Sequence, residues 1–246
     1  MKENKYDDNI FFQKYSQMSR SQQGLAGAGE WETLRKLLPD FKDKRVLDLG
    51  CGYGWHCIYA MEHGASSVVG VDISHKMLEV AKEKTHFPQV EYKCCAIEDV
   101  EFPEESFDVI LSSLAFHYVA DYEILVKKIY RILKSGGKLV FTVEHPVFTA
   151  YGTQDWYYNE KGEILHFPVD NYYYEGKRTA MFLEEKVTKY HRTLTTYLNT
   201  LLSNGFIINH IVEPQPPENM MDIPGMQDEM RRPMMLIVSA NKKVDR

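Results

Sequence analysis

Hydrophobic positions in residues 44–143 follow two alternating patterns. Short apolar runs of strand length alternate with stretches in which apolar residues recur at helical spacing. The runs predict strands at Arg45–Leu49, Ser67–Val71, Val90–Lys93, Phe107–Ser112 and Lys138–Val143. The stretches between them predict helices at Gly54–His63, Ser74–Lys84 and Tyr122–Leu133, with Ser74 and Asp121 as N-caps. Such alternation is typical of an α/β fold with a parallel, doubly wound sheet.

The flanking segments have different patterns. Residues 1–43 are a polar, partly helical lead-in, with apolar side chains at helical spacing at Trp31, Leu34, Leu37 and Leu38. Residues 145–190 contain many aromatic residues and several glycines, which predict an insertion of hairpins and loops after the fifth strand. The chain then continues with a strand near Lys186–His191, a helix near Leu194–Ser203, a strand at Phe206–Val212, a proline-rich stretch at 213–233 and a last strand at Met234–Ala240.

Composition narrows the function classes. A chain of 246 residues with 44% hydrophobic residues fits one domain, 1–246, that includes the lead-in and the insertion. The formal charge of −6 disfavours nucleic acid and anionic membranes as partners. The four cysteines, Cys51, Cys57, Cys94 and Cys95, lack the spacing of a zinc site, so we predict reduced thiols and no metal. No signal peptide or membrane span is visible, and we expect a cytoplasmic protein.

The most informative string is Val46-Leu47-Asp48-Leu49-Gly50-Cys51-Gly52-Tyr53-Gly54, a strand that leads into a glycine-rich turn and a helix. Glycines allow the backbone to approach a ligand closely, and the following helix start presents free N–H groups. A dinucleotide site would place a pyrophosphate at this turn, where Asp48 would repel it, and Trp55 replaces the third glycine of that motif. The cationic S-adenosylmethionine, in contrast, would be attracted by Asp48.

A second acidic residue lies at the end of the next strand. Asp72 follows the glycine turn by about twenty residues, the spacing at which a carboxylate accepts hydrogen bonds from ribose hydroxyls. Taken alone, Asp72 could also be a helix-capping acid. The glycine turn upstream favours the ribose interpretation.

On these residues the chain resembles the class I, Rossmann-like S-adenosylmethionine-dependent methyltransferases, and most of all the bacterial small-molecule group related to the ubiquinone and menaquinone biosynthesis enzymes. The glycine string and Val71-Asp72-Ile73-Ser74 match two family motifs, and Phe107-Asp108-Val109-Ile110 and Leu133–Lys138 match two more. The resemblance covers about residues 44–143. It implies a seven-stranded, mostly parallel sheet of order 3-2-1-4-5-7-6 with an antiparallel last strand, and says little about the methyl acceptor.

The resemblance implies a cofactor site after the first four strands. Many relatives have an acid after the third strand that binds adenine, where this chain has Ala96. We therefore expect backbone contacts at Ala96–Ile97, with assistance from Glu98, and apolar walls from Ile73 and Met77. The full predicted set is Asp48, Gly50, Cys51, Gly52, Gly54, Asp72, Ile73, Met77, Ala96, Ile97, Glu98 and Leu114. In similar enzymes, an N-terminal helix corresponding to the segment with Tyr15 and Arg20 covers the cofactor.

The acceptor is expected at the carboxyl ends of the strands, beside residues 113–118, 145–190 and 213–233. The aromatic residues at 151–174 could form its walls, or could instead pack the insertion or an interface of a homo-oligomer. Candidate catalytic residues are His117, whose unperturbed pKa suits a general base, and Glu144 and His145.

These features favour methyl transfer from S-adenosylmethionine to a small molecule. A non-catalytic S-adenosylmethionine-binding protein and an NAD-dependent oxidoreductase are the alternatives. A DNA or protein acceptor is disfavoured because the Asn/Asp-Pro-Pro-aromatic motif of many amino methyltransferases is absent after the fourth strand, which reads Ser112-Ser113-Leu114-Ala115-Phe116-His117-Tyr118.

Overall fold

Most strands of the molecule belong to one seven-stranded sheet. The structure, a computed structural model, describes residues 3–244. In chain order the strands are β1 (Arg45–Leu49), β2 (Ser67–Asp72), β3 (Val90–Cys94), β4 (Phe107–Ser113), β5 (Leu133–Glu144), β6 (Tyr157–Tyr158), β7 (Ile164–His166), β8 (Gly176–Phe182), β9 (Glu185–His191), β10 (Phe206–Val212) and β11 (Met235–Lys242). The large sheet has the order β3-β2-β1-β4-β5-β11-β10, in which only β11 is antiparallel to its neighbours. The predicted order is therefore confirmed.

Four predicted helices, near Gly54–His63, Ser74–Lys84, Tyr122–Leu133 and Leu194–Ser203, are present with ends within one residue of the prediction. In chain order, the helices are α1 (Asn9–Ser16), α2 (Ser19–Gln22), α3 (Trp31–Leu34), α4 (Trp55–Glu62), α5 (His75–Lys84), α6 (Tyr122–Ile132), α7 (Pro146–Ala150), α8 (Leu194–Ser203) and α9 (Met226–Glu229). The predicted N-caps are confirmed: the Ser74 hydroxyl accepts a hydrogen bond from the Met77 N–H, and the Asp121 carboxylate accepts one from the Ile124 N–H. These side chains satisfy backbone donors that the first helical turn leaves unpaired.

Two apolar clusters cover the two faces of the sheet, because successive side chains of a strand point to opposite faces. Leu47 and Leu49 of β1 belong to a cluster that includes α6 and α8. Val46 belongs to the other cluster, which includes α4 and α3 of the lead-in. A strand buried on both faces needs mostly apolar side chains, and β1 is buried from Val46 to Leu49, with Asp48 as its one polar residue in that stretch.

The structure differs from the predicted elements in two places. Strand β5 begins at Leu133 rather than at Lys138, because Leu133 already pairs with Phe107 before the register shifts. Gly136, at φ +72°, permits the irregular backbone between the two pairings. In the lead-in, α3 ends at Leu34, so the predicted helical spacing continues beyond the helix only as turns.

The insertion after β5 contains α7 and two antiparallel hairpins, β6–β7 and β8–β9. The predicted strand near 186–191 is confirmed as β9, and it pairs with β8 rather than with the large sheet. Across residues 3–244, no helix combines the length and the apolar character that crossing a bilayer requires.

Candidate active site

A cavity of about 400 Å³ lies where the parallel strands end. Ligands of open α/β sheets bind at this edge, and a volume in this range is typical of small-molecule sites. The lead-in and the β8–β9 hairpin supply the opposite walls. The predicted cofactor-binding residues that line this cavity are Gly50, Gly52, Asp72, Ile73, Met77, Ala96, Ile97, Glu98 and Leu114.

The glycine turn after β1 contributes backbone without side chains to the cavity wall, at Gly50 and Gly52. A Cβ atom at Gly50 would lie 2.4 Å from the Cβ of Ala115, and one at Gly54 would lie 2.2 Å from the hydroxyl oxygen of Tyr92. A Cβ at Gly52 would meet no protein atom within 4 Å. Gly50 and Gly54 are thus required by internal packing, whereas Gly52 leaves open space that a ligand can occupy.

Asp72 joins the end of β2 to this turn. Its Oδ2 accepts a hydrogen bond from the Gly52 N–H, and its Oδ1 accepts one from the Ser74 N–H, both at 2.9 Å. Burial raises the pKa of Asp72 above its usual value, although the two backbone hydrogen bonds oppose the effect. Each carboxylate oxygen retains a second lone pair, so Asp72 can also accept hydrogen bonds from two ligand hydroxyls.

Asp48, Cys51 and Gly54 do not line the large cavity. Asp48 is only 1% exposed because β2 and β4 flank it, and the Cys57 thiol donates a hydrogen bond to its Oδ2 at 3.5 Å. Burial raises the pKa of Asp48 to about 7. Cys51 lines a smaller neighbouring cavity of about 70 Å³. The structure does not bring Asp48 to the cavity wall, and the charge attraction expected of it remains a prediction.

The opposite side of the turn supplies apolar surface. Ile73 and Met77 follow β2, and Ala96 and Ile97 follow β3. Leu114 has a left-handed backbone at φ +52°, uncommon for leucine. Its N–H donates to both the hydroxyl and the carbonyl oxygen of Thr142, at 3.0 Å each, so β5 holds this residue against the cavity.

The lead-in supplies several walls, including Tyr15 and Arg20. One Arg20 nitrogen donates to both carboxylate oxygens of the buried Glu30, at 2.9 Å each. Tyr6 was not singled out from the sequence, yet it lines the cavity with its hydroxyl 3.3 Å from that of Tyr118. The polar segment around Tyr6 has no periodicity that could have indicated this position.

The lead-in is fixed at both of its sides. Asp7 accepts hydrogen bonds from the Ser74 hydroxyl at 2.6 Å and the Lys76 N–H at 3.1 Å, at the start of α5. On the other side, Lys14 pairs with Glu184 at the β8–β9 turn at 2.5 Å. We call residues 3–20 together with the 182–188 turn the roof, because they contact each other across the cavity.

His117 and Glu144 both line the cavity, His117 just after β4 and Glu144 at the end of β5. The Nδ1 atom of His117 accepts a hydrogen bond from the Glu144 N–H at 3.3 Å. Burial lowers the pKa of His117 to about 4, so the ring is neutral near pH 7. Because Nδ1 accepts, the proton of this neutral ring is on Nε2, and the ring is arranged to donate a hydrogen bond.

His145 does not line the cavity. Its Nδ1 caps α7 by accepting a hydrogen bond from the Val147 N–H at 3.1 Å, and its Nε2 lies 2.9 Å from Glu213. Both ring nitrogens therefore serve the junction between β5, α7 and the 213–233 stretch. This arrangement gives His145 a structural use and no contact with the site.

The aromatic residues at 151–174 do not line the cavity, so the prediction that they wall an acceptor does not fit its lining. Arg232 lies over the rings of Phe148, Trp156 and Phe167 at 4.5–5.0 Å, which ties the 213–233 stretch to the insertion. Other aromatic side chains are exposed, such as Tyr173 at 87%. The insertion reaches the cavity instead through Phe182, Val187, Thr188 and Tyr190, which the sequence analysis did not single out.

Comparison with known proteins agrees with this geometry. A family model described as "Methyltransferase domain" matches residues 47–141. An uncharacterized protein of Haemophilus influenzae is 34% identical over 96% of this chain and 96% of its own length. The ubiquinone biosynthesis O-methyltransferase of Coxiella burnetii is 36% identical over 45% of this chain and 47% of its own length.

Solved structures give the same result over nearly the whole chain. An S-adenosylmethionine-dependent methyltransferase from Mesorhizobium loti is 40% identical, with a TM-score of 0.82 over 89% of this chain and 100% of that one. A protein from Listeria monocytogenes assigned to the same enzyme class is 58% identical, with a TM-score of 0.86 over 89% of this chain and 99% of that one. The chain belongs to the S-adenosylmethionine-dependent methyltransferases.

Proposed function

We propose that this enzyme methylates a small molecule that binds between His117, Glu144 and the β8–β9 hairpin. The main observation that supports this proposal is the roof over the cavity. Lead-in and hairpin meet through the Lys14–Glu184 ion pair and through the rings of Phe11 and Phe182, whose centroids are 5.8 Å apart. A cavity of about 400 Å³ beneath such a cover suits a small acceptor beside the cofactor better than a segment of a macromolecule.

The described residues fit S-adenosylmethionine in the half of the cavity near the glycine turn. The open space at Gly52 would admit the cofactor against the backbone, and Asp72 would accept hydrogen bonds from the ribose hydroxyls. Ile73 and Ala96 would supply apolar surface for the adenine, and the Arg20 nitrogens not bonded to Glu30 could donate to the carboxylate of the amino-acid end. When bound, the cofactor supplies an electrophilic methyl carbon. The protein contributes mainly by positioning the acceptor in line with it.

His117 fits a donor role better than the general base considered from the sequence. A base at Nε2 would need the proton on Nδ1, where the Glu144 N–H already points. The neutral Nε2–H instead orients a lone pair of the acceptor or of a neighbouring group. His145, the third catalytic candidate, does not line the cavity, and we assign it no role in the transfer.

Two measurements test the proposal. Calorimetry should detect binding of S-adenosylmethionine and of its demethylated product, and no binding of NAD. Incubation of the enzyme with methyl-labelled cofactor and a metabolite extract should then transfer label to a small molecule. Cofactor binding without any transfer would favour a non-catalytic binding protein, and NAD binding without a response to either sulfur compound would favour the oxidoreductase.

We also place the enzyme in the cytoplasm. All four cysteines are free, with Cys51 and Cys57 buried and Cys94 exposed. Thiols persist in this form in a reducing compartment. Fractionation of the native cells with an antibody to the protein would test this placement.

A further inference from the structure

Three polar side chains interact beside the part of the cavity that His117 and Glu144 line, which we call the acceptor end. Lys189 is buried, and Glu144 and Gln154 are partly buried. The ammonium of Lys189 donates to Glu144 Oε1 at 2.5 Å and to Gln154 Oε1 at 2.7 Å. The amide of Gln154 donates to Glu144 Oε2 at 2.6 Å. The three side chains thus form a closed ring of hydrogen bonds in which each Glu144 oxygen receives one donor. We call this group the Glu144 ring.

Lys189 occupies an unusual position for a cation. It lies on β9, where Val187 and His191 also face inward, and its side chain is only 3% exposed. Replacing a buried ion pair by apolar side chains is often neutral or stabilising, so the Glu144 ring is not explained by stability. Gln154 has a left-handed backbone at φ +61°, and such backbones in non-glycine residues are concentrated at functional sites.

The Glu144 ring fixes a charged carboxylate on the cavity wall. Burial raises the pKa of Glu144, but the neighbouring His117 and Lys189 and the hydrogen bonds from Lys189 and Gln154 lower it below its usual value. The Lys189 ammonium donates its hydrogen bonds to Glu144 and Gln154, and Lys189 does not line the cavity. A ligand in the acceptor end therefore meets the carboxylate and not the cation. Each carboxylate oxygen still has a lone pair for a ligand donor.

We propose that Glu144 is the catalytic residue that binds the N–H or O–H group of the methyl acceptor, with Lys189 and Gln154 as its positioning residues. This inference rests on the proposed function. It restricts the acceptor to amines and hydroxyl compounds that lack an anion at the reacting end, because a carboxylate or phosphate there would be repelled by Glu144.

The chemistry of transfer agrees with a carboxylate at this place. The acceptor lone pair forms the new bond to the methyl carbon while the carbon–sulfur electron pair returns to sulfur, so positive charge moves to the acceptor atom. Glu144 stabilises that charge in the transition state. A hydroxyl acceptor then gives its proton to the Glu144 carboxylate, since an oxonium is far more acidic than a carboxylic acid. An amine acceptor reacts as the free base, after an ammonium form has lost one proton to solvent, and the methylated product leaves as an ammonium ion.

The test combines labelled cofactor with a metabolite extract separated by ion exchange into cationic, neutral and anionic fractions. Label should appear from the cationic or neutral fraction. Glu144→Gln should lower the transfer rate by about 10²–10⁴-fold and leave S-adenosylmethionine affinity unchanged. Transfer from the anionic fraction alone, or a normal rate in Glu144→Gln, would overturn the inference while the proposed function stands. No transfer from any fraction would overturn both.

The positioning role predicts a change in pH profile that a loss of packing would not produce. Titratable groups facing Glu144 are His117 and Tyr118 after β4, Lys189 on β9 and Tyr197 on α8. Lys189→Met removes the nearby cation and raises the Glu144 pKa, so the acidic limb of the rate profile should move to higher pH. The rate should fall by about 10²-fold as the carboxylate loses its orientation.

Two further variants and a control complete the test. Lys189→Arg should return the acidic limb toward the wild-type position, and Gln154→Leu should lower the rate without removing the cation. Lys242→Met is the matched control, because Lys242 is also buried and paired with a carboxylate, Glu105 at 3.3 Å, far from the cavity lining. An unshifted acidic limb in a folded Lys189→Met, or an equal rate loss in Lys242→Met, would refute the positioning role.

Discussion

At the level of single residues, we expect Asp72 to be the most important polar contact for the cofactor. Replacing Asp72 by Ala should weaken S-adenosylmethionine binding by about 1.5–3 kcal/mol, the range for hydrogen bonds to a charged group. Calorimetry should measure this affinity in Asp72→Ala and in Asp108→Ala. Asp108→Ala is the control, because Asp108 also accepts a hydrogen bond from a backbone N–H, that of Arg45, but lies at the other end of the sheet. An unchanged affinity in folded Asp72→Ala would remove this residue from the site.

The glycine turn allows a test that separates ligand contact from backbone strain. Gly52→Val should abolish cofactor binding, since the side chain would enter the open space of the cavity and resist a positive φ. Gly162 has the same requirement, at φ +78°, and its Cβ would also meet nothing within 4 Å, but it lies in the insertion. Gly162→Val should therefore lose a similar stability in urea unfolding and keep normal affinity. Equal affinities in the two variants would mean that the cofactor lies elsewhere.

Two substitutions distinguish the two chemical roles considered for His117, hydrogen-bond donor and general base. If its Nε2–H donates, His117→Gln keeps a donor in place and should retain most of the transfer rate, while His117→Ala should lose about tenfold. The rates of label transfer in the two variants decide the matter. A loss of 10²–10⁴-fold in both would return His117 to the role of general base.

At the scale of elements, the lead-in must stay attached to α5 for the roof to cover the cofactor. Asp7→Ala removes the acceptor for the Ser74 hydroxyl and the Lys76 N–H, and we expect about tenfold weaker S-adenosylmethionine binding with faster amide exchange in residues 3–16. Asp121→Ala loses a comparable cap on α6 without touching the lead-in, and because Asp121 does not itself line the cavity it serves as the control. If both variants bind normally, the lead-in does not contribute to affinity.

At the scale of the whole molecule, buried His117 makes stability depend on pH. Its pKa is about 4 in the folded protein and near ~6.5 when unfolded, so the unfolded chain takes up the proton first as the pH falls. This residue should therefore remove up to about 3 kcal/mol of stability between pH 6.5 and 4. Urea unfolding of the cofactor-free protein should show a smaller loss in His117→Asn over this window. An equal loss of stability in wild type and His117→Asn would contradict the lowered pKa assigned to His117.

Asp48 has the opposite effect on the pH dependence of the free energy of unfolding. Its folded pKa of about 7 lies above its ordinary value, so the stability that it adds is present at low pH and is lost as the pH rises toward 7. The wild-type profile combines both effects. The test therefore uses the difference in the free energy of unfolding between wild type and His117→Asn at each pH, rather than either profile alone.

Local sequence patterns were enough to predict the large sheet and most of the residues that line the cavity near the glycine turn. Strand and helix periodicity, the glycine turn and Asp72 are local patterns, and parallel strands necessarily bring their carboxyl ends to one edge. Residues that follow those strands, such as Ile73, Ala96 and Leu114, were therefore predictable as neighbours in space.

Long-range packing, in contrast, sets which side chains of the roof and the insertion reach the cavity. Loop direction and hairpin pairing depend on contacts far apart in sequence, so the aromatic run at 151–174 looked like an acceptor wall, whereas Phe182 and Tyr190 are the residues that line it. Burial also decided chemical state: it neutralises His117 and encloses Asp48. The pairing of Lys189 with Glu144 across 45 positions of sequence had no local signal, because an ion pair within a folded interior is set by packing.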